Sequence, residues 1–197
     1  MKRIISLILF FTAFFTFNAA AQSASDRAAI ENTIGFGPRV GYYKAQDADE
    51  GNFYFGVQTR LRLGAVVGLE GAVEYRASQE FGINDYTVKA SSVPITASLL
   101  IFAPLSESFS PYGLAGVGAY YTKYSYSSSA ESLGFSDDSN FNLGYHLGFG
   151  VELPFNDNTA INIDYRYIFL NPDDNDESLE DASFNGNSIS ASIMFYF

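Results

Sequence analysis

The stretch "NSISASIMFYF", residues Asn187–Phe197, closes the chain and decides how the rest of the sequence is interpreted. Apolar residues occupy every second position of this stretch, and a period of two is typical of a β-strand with one apolar face. Chain ends are usually polar and poorly ordered, so the apolar face of a terminal strand must contact something apolar. The apolar positions are Ile189, Ala191, Ile193, Phe195 and Phe197, and the intervening positions are Ser188, Ser190, Ser192, Met194 and Tyr196.

The beginning of the chain predicts export from the cytoplasm. Lys2 and Arg3 precede an apolar run over residues 4–17, and Ala19 and Ala21 provide a small-residue cleavage site. The run is shorter than the roughly 20 apolar residues that a transmembrane helix needs. We therefore expect the first 21 residues to be a signal peptide rather than an uncleaved membrane anchor.

Composition narrows the class of protein further. The chain has no cysteine, which excludes disulfides, thiol chemistry and a lipidated cysteine. Loss of Lys2 and Arg3 with the signal peptide leaves nine basic against 22 acidic side chains, a net charge of −13. Such an acidic chain is not expected to bind nucleic acid. The remaining 176 residues have the length of one domain.

The period of two returns throughout the chain after Ile34 and predicts eight strands. The sixth has the clearest alternation, and the fifth has an ambiguous one because both of its faces are small or apolar. The predicted strands are residues 34–44, 52–63, 67–76, 91–102, 111–124, 141–153, 161–169 and 187–197.

The connections between these strands alternate in character. Three are predicted to be short turns, near Gly64, at residues 103–110 and at residues 154–159. The others are longer and mostly acidic, at residues 45–51, 77–86, 125–139 and 171–186. This asymmetry is typical of an up-and-down membrane barrel, which has tight periplasmic turns and larger extracellular loops.

Volume decides which face of the predicted barrel is apolar. A soluble barrel would hold its apolar face inside, whereas a membrane barrel turns that face outward. The apolar parity carries 13 aromatic rings, and the interior of an eight-stranded barrel is only just wide enough for side chains. The rings must therefore face lipid, and in lipid the sheet must close on itself so that every backbone group is hydrogen-bonded.

The sequence thus predicts an all-β fold, an eight-stranded antiparallel up-and-down transmembrane β-barrel with short periplasmic turns and longer acidic extracellular loops. Residues 34–197 are expected to form the barrel domain, and residues 22–33 a short periplasmic lead without activity. The 13 rings are Phe36, Tyr42, Phe53, Phe55, Tyr75, Phe141, Tyr145, Phe149, Tyr165, Tyr167, Phe169, Phe195 and Phe197.

Several motifs resemble one known family. The signal peptide, "VPI" at residues 93–95, "PYGLAGVGAYY" at residues 111–121 and the terminal Phe197 are similar to the small eight-stranded outer-membrane β-barrel proteins of Gram-negative bacteria. This is the OmpA/OmpX-like group, often labelled porin-family or outer membrane protein β-barrel domain. The likeness covers residues 34–197. No peptidoglycan-binding domain follows the barrel, so we do not expect an anchoring role.

The resemblance implies a location and partners. The expected location is the outer membrane of a Gram-negative bacterium, in contact with outer-membrane lipid and lipopolysaccharide. The barrel-assembly machinery would read the terminal strand through Ile193, Phe195 and Phe197. We expect a monomer that needs no cofactor and no metal.

The polar parity collects charges that would face the lumen. Buried charges persist only when they are paired, so the favoured interpretation is an ion-paired plug, and the alternative is a substrate-binding or gating cluster. The residues concerned are Arg39, Arg60, Arg62, Glu70, Glu74, Arg76, Glu152, Asp164 and Arg166.

Two further features of the sequence are candidates for chemical sites. His146 is the only histidine and has lumen parity, and Glu152 is too far along the strand to touch it. A cross-strand acid or Ser98 could in principle approach His146, but no pattern in the sequence indicates that either does. We therefore predict no catalytic residue. An acidic stretch is a candidate weak cation-binding loop that could bridge lipopolysaccharide phosphates, although a solvated acidic loop is the simpler interpretation. Its residues are Asp173, Asp174, Asp176, Glu177, Glu180 and Asp181.

The predicted function is that of a non-enzymatic outer-membrane barrel with a largely plugged polar lumen and a structural or surface-interaction role. One alternative is a narrow channel or binding barrel for small or hydrophobic solutes, as in OmpW-like barrels. The other is an adhesin that acts through its acidic surface loops.

Overall fold

The computed structural model of the chain describes residues 28–46, 48, 50–83, 86–126, 138–170 and 185–197. Within these ranges, the side chains of residues 79–83, 86–88, 124–126 and 138 lie outside the description. No helix of the described residues is long and apolar enough to cross a membrane.

Eight antiparallel strands form one closed barrel in sequence order. Closure joins β1 to β8, for example through the paired residues Phe36 and Phe195. The strands are β1 (Ile34–Ala45), β2 (Asn52–Leu63), β3 (Val67–Ile83), β4 (Tyr86–Phe102), β5 (Ser110–Tyr126), β6 (Asp138–Asn156), β7 (Thr159–Phe169) and β8 (Gly186–Tyr196). The predicted all-β, eight-stranded antiparallel barrel is confirmed, and each strand pairs with a neighbour on both sides, so that the sheet closes as a lipid environment requires.

The loop predicted at residues 77–86 is wrong. The register of β3 and β4 shifts between Arg76 and Gln79, after which Gln79 pairs with Ala90 and the two strands continue to their ends. A β-bulge inserts an extra residue and interrupts the period of two, so a count along one strand loses the pattern at this point. Only residues 84–85 therefore separate the two strands in the sequence.

The lengths of the connections follow the predicted alternation only in part. The β1–β2 connection, residues 46–51, is no longer than the β4–β5 connection, residues 103–109. The β6–β7 turn shortens to residues 157–158 because β6 continues to Asn156.

The strands differ in length, and the difference lies at one end of the barrel. We call the end that holds Gly64 and Phe197 the turn end, and the opposite end the loop end. Strands β3, β4 and β5 have 17 residues and β6 has 19, whereas β1 and β2 have 12 and β7 and β8 have 11. Pairing of β3 with β2 stops at Arg76, and pairing of β6 with β7 begins at Tyr145. Strands β3–β6 therefore extend beyond their neighbours at the loop end.

Apolar side chains face outward and polar ones inward. Burial alternates strictly along β8, from buried Ser188 to exposed Ile189 and onward. Rings of neighbouring strands pack on the outer face, and the centroids of Tyr145 and Phe169 lie 4.5 Å apart in a stacked arrangement. The ambiguous fifth strand turns Tyr112, Leu114, Tyr120 and Thr122 inward.

Candidate functional site in the barrel lumen

The nine charged residues with lumen parity all lie buried inside the barrel. They come from β1, β2, β3, β6 and β7, and salt bridges join them across the lumen. The residues are Arg39, Arg60, Arg62, Arg76 and Arg166, with Glu70, Glu74, Glu152 and Asp164. We call this set the lumen cluster.

Glu70 lies at the centre of the lumen cluster. Register places Arg60 directly opposite Glu70, and its Nη2 donates to Glu70 Oε2 at 2.6 Å. Arg166 Nη2 donates to Glu70 Oε1 at 2.7 Å, and Arg39 Nη1 approaches the same oxygen at 3.3 Å. One carboxylate therefore accepts hydrogen bonds from three guanidinium groups that belong to three different strands.

Asp164 forms a second bridge between two of these arginines. Its Oδ1 accepts hydrogen bonds from Arg39 Nη2 at 2.8 Å and from Arg166 Nε at 2.7 Å. Ser190 Oγ on β8 also accepts from Arg39 Nη2, at 2.7 Å. The planar fork of arginine, with several N–H donors, lets one guanidinium contact more than one acceptor in this way.

The lumen cluster continues to both ends of the barrel. Toward the turn end, Glu152 accepts hydrogen bonds from Arg60 Nη1 and Arg62 Nη1, each at 3.0 Å, and from the Tyr196 hydroxyl at 2.5 Å. Toward the loop end, Glu74 Oε2 accepts from Arg76 Nη2 at 2.9 Å.

Arg76 also lies among aromatic rings. Its guanidinium carbon is 4.3 Å from the ring centroid of Tyr43, 5.5 Å from that of Tyr54 and 5.6 Å from that of Tyr120. Rings at these distances attract a cation electrostatically. The charge of Arg76 is thus balanced by one carboxylate and three tyrosines.

A glycine makes room for one of the crossing arginines. Gly148 pairs with Arg166, and a Cβ added at Gly148 would lie 2.2 Å from the Tyr165 carbonyl oxygen and 3.2 Å from Arg166 Cγ. Gly148 is therefore a position over which the long side chain of Arg166 passes.

Apolar side chains complete the filling near the turn end. One buried cluster contains Leu100, Phe102, Tyr112 and Leu114, and the Arg62 guanidinium carbon lies 3.5 Å from the Phe102 ring centroid. The alternation of β5 is ambiguous in the sequence, so the sequence does not predict this cluster.

A second apolar cluster includes a residue from before the barrel. Ile30 is buried against Ala160, Met194 and Tyr196. It belongs to the segment expected to be a lead without activity. In the sequence, the burial of Ile30 is indicated only by the presence of this apolar side chain within a polar stretch.

His146 and Ser98 meet inside the barrel. His146 Nε2 and Ser98 Oγ are 2.8 Å apart, and both side chains are buried. The pair resembles a base and its nucleophile, but its burial keeps substrates in lipid or bulk water away from Ser98 Oγ.

The other predicted site residues lie elsewhere. The candidate cation-binding loop, Asp173–Asp181, lies outside the described residues, and among those described no group of metal-ligating side chains could hold a metal ion. Ile193, Phe195 and Phe197 are exposed on the outer face.

Comparisons with known proteins agree with this architecture. A sequence profile of the family described as "Outer membrane protein beta-barrel domain" matches residues 8–197. No curated protein matches the chain.

Several solved structures share the fold. Ail, the attachment invasion locus protein of Yersinia pestis, is 19% identical with a TM-score of 0.52, and the match covers 84% of this chain and 97% of that chain. Neisserial surface protein A is 16% identical with a TM-score of 0.55, covering 84% and 96%. OprG from Pseudomonas aeruginosa is 14% identical with a TM-score of 0.54, covering 87% and 97%.

Proposed function

The chain belongs to the outer membrane protein β-barrel domain family, and from this premise we propose that it is a non-enzymatic outer-membrane protein with a plugged lumen and a structural or surface-directed role. The lumen cluster is the observation that supports this proposal. Its ion pairs follow one another from Arg62 near the turn end to Arg76 near the loop end.

The energetics of buried ion pairs disfavour a solute path. Removing one partner from a buried pair costs about 3–5 kcal/mol, and each carboxylate of the lumen cluster contacts at least two arginines. A passing solute would have to separate several pairs at once. The apolar clusters around Phe102 and Ile30 obstruct the turn end as well.

Conductance in planar lipid bilayers tests the plug. The purified barrel, inserted in its folded form, should show no large and stable openings, while a general porin in the same membrane provides the positive control. Heat-modifiable migration on gels confirms that the inserted protein is a closed barrel. Steady openings of porin size would refute the plugged lumen and favour the narrow-channel alternative.

The extension of β3–β6 supports a surface-directed role over a purely structural one. A transmembrane β-strand needs about 9–11 residues, and these four strands have 17 to 19. If the loop end faces the outside of the cell, the extension presents a sheet above the membrane surface. Ail, whose name refers to attachment and invasion, has the same barrel fold.

A trimmed hairpin tests the surface role. Gln79 and Ala90 are paired, so residues 80–89 can be replaced by a two-residue turn without changing the register below them. Bacteria that display the wild-type barrel should attach to cultured cells, and bacteria with the trimmed barrel should attach less. If both strains attach equally well while displaying equal amounts of the barrel on their surface, the surface-directed role is refuted and the structural role is favoured.

A further inference from the structure

Among the described residues, arginine and lysine side chains occupy different parts of the barrel. Every arginine described lies buried in the lumen cluster, and every lysine described lies exposed near the loop end. Lysine carries a flexible stem that lies along apolar surface while its ammonium reaches polar surroundings, and its compact charge binds phosphate as a point charge. The lysines are Lys44, Lys89 and Lys123.

Lys123 lies directly above the apolar band of the barrel. In the next row toward the membrane centre, Tyr121 pairs with Val93 on β4 and with Phe141 on β6. Because a strand rises about 3.4 Å per residue, Lys123 lies about 7 Å along the strand beyond this row. If the apolar band contacts the acyl chains, this is the level of the lipid headgroups.

Polar neighbours flank Lys123 on both sides. Register places Ser91 on β4 and Ser139 on β6 opposite Lys123, and all three lie on the outer face of the sheet. Serine hydroxyls can donate hydrogen bonds to phosphate oxygens. The row therefore combines one ammonium with two hydroxyl groups.

Lys89 adds a second ammonium to this surface. It lies two residues beyond Ser91, which makes it a diagonal neighbour of Lys123, and diagonal neighbours are about 7–8 Å apart. Lys123 lies in one row with Ser91 and Ser139, whereas Lys89 lies one row further out, so Lys123 is the principal donor and Lys89 the supporting one.

We propose that Lys123, Lys89, Ser91 and Ser139 bind the phosphate group of a membrane lipid on the outer face of β4–β6. The inference rests on the proposed function, because it requires the loop end to lie in a leaflet that contains phosphorylated lipid. A lipid is favoured over free phosphate for two reasons. The acyl chains would pack on Val93, Tyr121 and Phe141 below the site, and the strongly acidic chain repels anions that are not held in this way.

Native mass spectrometry of the full barrel tests the site. The folded protein is incubated with lipid A, with the same lipid after phosphatase treatment, or with inorganic phosphate, and the fraction carrying one bound molecule is measured. We expect retention of lipid A, weak retention of the dephosphorylated lipid and none of inorganic phosphate. Equal retention of both lipids would overturn the proposal, and so would binding of inorganic phosphate as strong as that of lipid A.

Three variants locate the site. The double variant Lys89→Gln, Lys123→Gln should bind lipid A about 25-fold more weakly, because each basic residue near a charged membrane surface contributes about fivefold to binding. Lys123→Arg, which keeps the charge, should retain binding. Lys44→Gln is the matched control, since Lys44 is exposed near the loop end but lies on β1.

The outcome separates this inference from the proposed function. If the double variant binds lipid A as well as the wild type, or if Lys44→Gln loses as much affinity, the site is refuted while the plugged lumen stands. Heat-modifiable migration shows whether each variant is folded. Should the double variant fail to fold, Lys123→Gln alone is compared with Lys44→Gln by the same criterion.

Discussion

Ser98 on β4 and His146 on β6 share a buried hydrogen bond of 2.8 Å although a whole strand separates them. Register places Gly116 of β5 directly between the two residues. The imidazole ring therefore passes over a position that has no side chain. Gly116, within the glycine run of β5, thus allows another side chain to approach the backbone closely, as glycines inside strands often do.

Gly116→Ala should destabilise the barrel. An added Cβ would lie 2.6 Å from His146 Nε2 and 2.3 Å from the Ala97 carbonyl oxygen. Overpacking of this kind typically costs about 1–3 kcal/mol, and displacement of the ring would also break the bond to Ser98. The measurement is urea unfolding of the refolded barrel in lipid vesicles, followed by circular dichroism.

Gly113→Ala is the matched control on the same strand. Gly113 faces outward, and nothing lies within 4 Å of an added Cβ. A surface substitution of this type should change stability by less than about 0.5 kcal/mol. If the two substitutions change the stability equally, the effect comes from the general replacement of glycine by alanine in β5 and not from the contact with His146.

Glu70→Gln should be strongly destabilising. The substitution leaves Arg39, Arg60 and Arg166 with fewer counter-charges and raises the excess of positive charge in the lumen cluster. Removing one partner from a buried ion pair costs about 3–5 kcal/mol. The midpoint of urea unfolding should fall accordingly, and more than half of the folded protein should be lost in urea that the wild type withstands.

Glu107→Gln removes the same charge from an exposed position in the β4–β5 turn. Its effect on the unfolding midpoint should be within experimental error. A Glu70→Gln barrel as stable as the Glu107→Gln barrel would mean that hydrogen bonds of the neutral amide suffice, and that the charge of Glu70 is not what fills the lumen.

Much of the fold could be predicted from the sequence because lipid reverses the usual polarity. The period of two survives along most of the strands, and a ring such as Phe149 cannot share an eight-stranded interior with its neighbours. The parity of Arg60 and Glu70 then places them inside, where charges must find partners. Which arginine meets which carboxylate could not be predicted, because the pairs depend on barrel register and on reach across the lumen.

The features that the sequence did not predict depend on contacts between strands, which a pattern along one strand does not reveal. The bulge after Arg76 depends on pairing of β3 with β4, so counting along β3 alone fails there. The burial of Ile30 depends on Met194 and Tyr196, which are far away in sequence. The approach of Ser98 to His146 needs three strands in register, and only the structure supplies that.

Single cysteines provide a direct test of the polarity, since the chain has none of its own. Ile193→Cys should react with a lipid-soluble maleimide in vesicles, because Ile193 is exposed on the outer face. Ser192→Cys, its immediate neighbour, is buried in the lumen and should react slowly. Mass spectrometry of the intact protein measures both. Faster labelling of Ser192→Cys would mean that the apolar face of β8 is turned inward.

The terminal residue should matter more for assembly than for stability. The Phe197 amide donates to the Ile34 carbonyl oxygen at 2.9 Å and continues the β8–β1 seam that closes the barrel. If Ile193, Phe195 and Phe197 act as the assembly signal, Phe197→Ser should slow insertion into vesicles that contain the barrel-assembly machinery several-fold. The folded fraction over time is measured from heat-modifiable migration.

Phe155→Ser separates that signal from the loss of an exposed ring. Phe155 is 80% exposed and Phe197 is 76% exposed, and both lie at the turn end, so each substitution removes a similar apolar contact with the membrane. Unfolding midpoints of the two variants should therefore be alike, while only Phe197→Ser assembles slowly. If both variants assemble at the same rate, the machinery responds to the aromatic rings of the turn end in general, and the terminal strand has no special part in recognition.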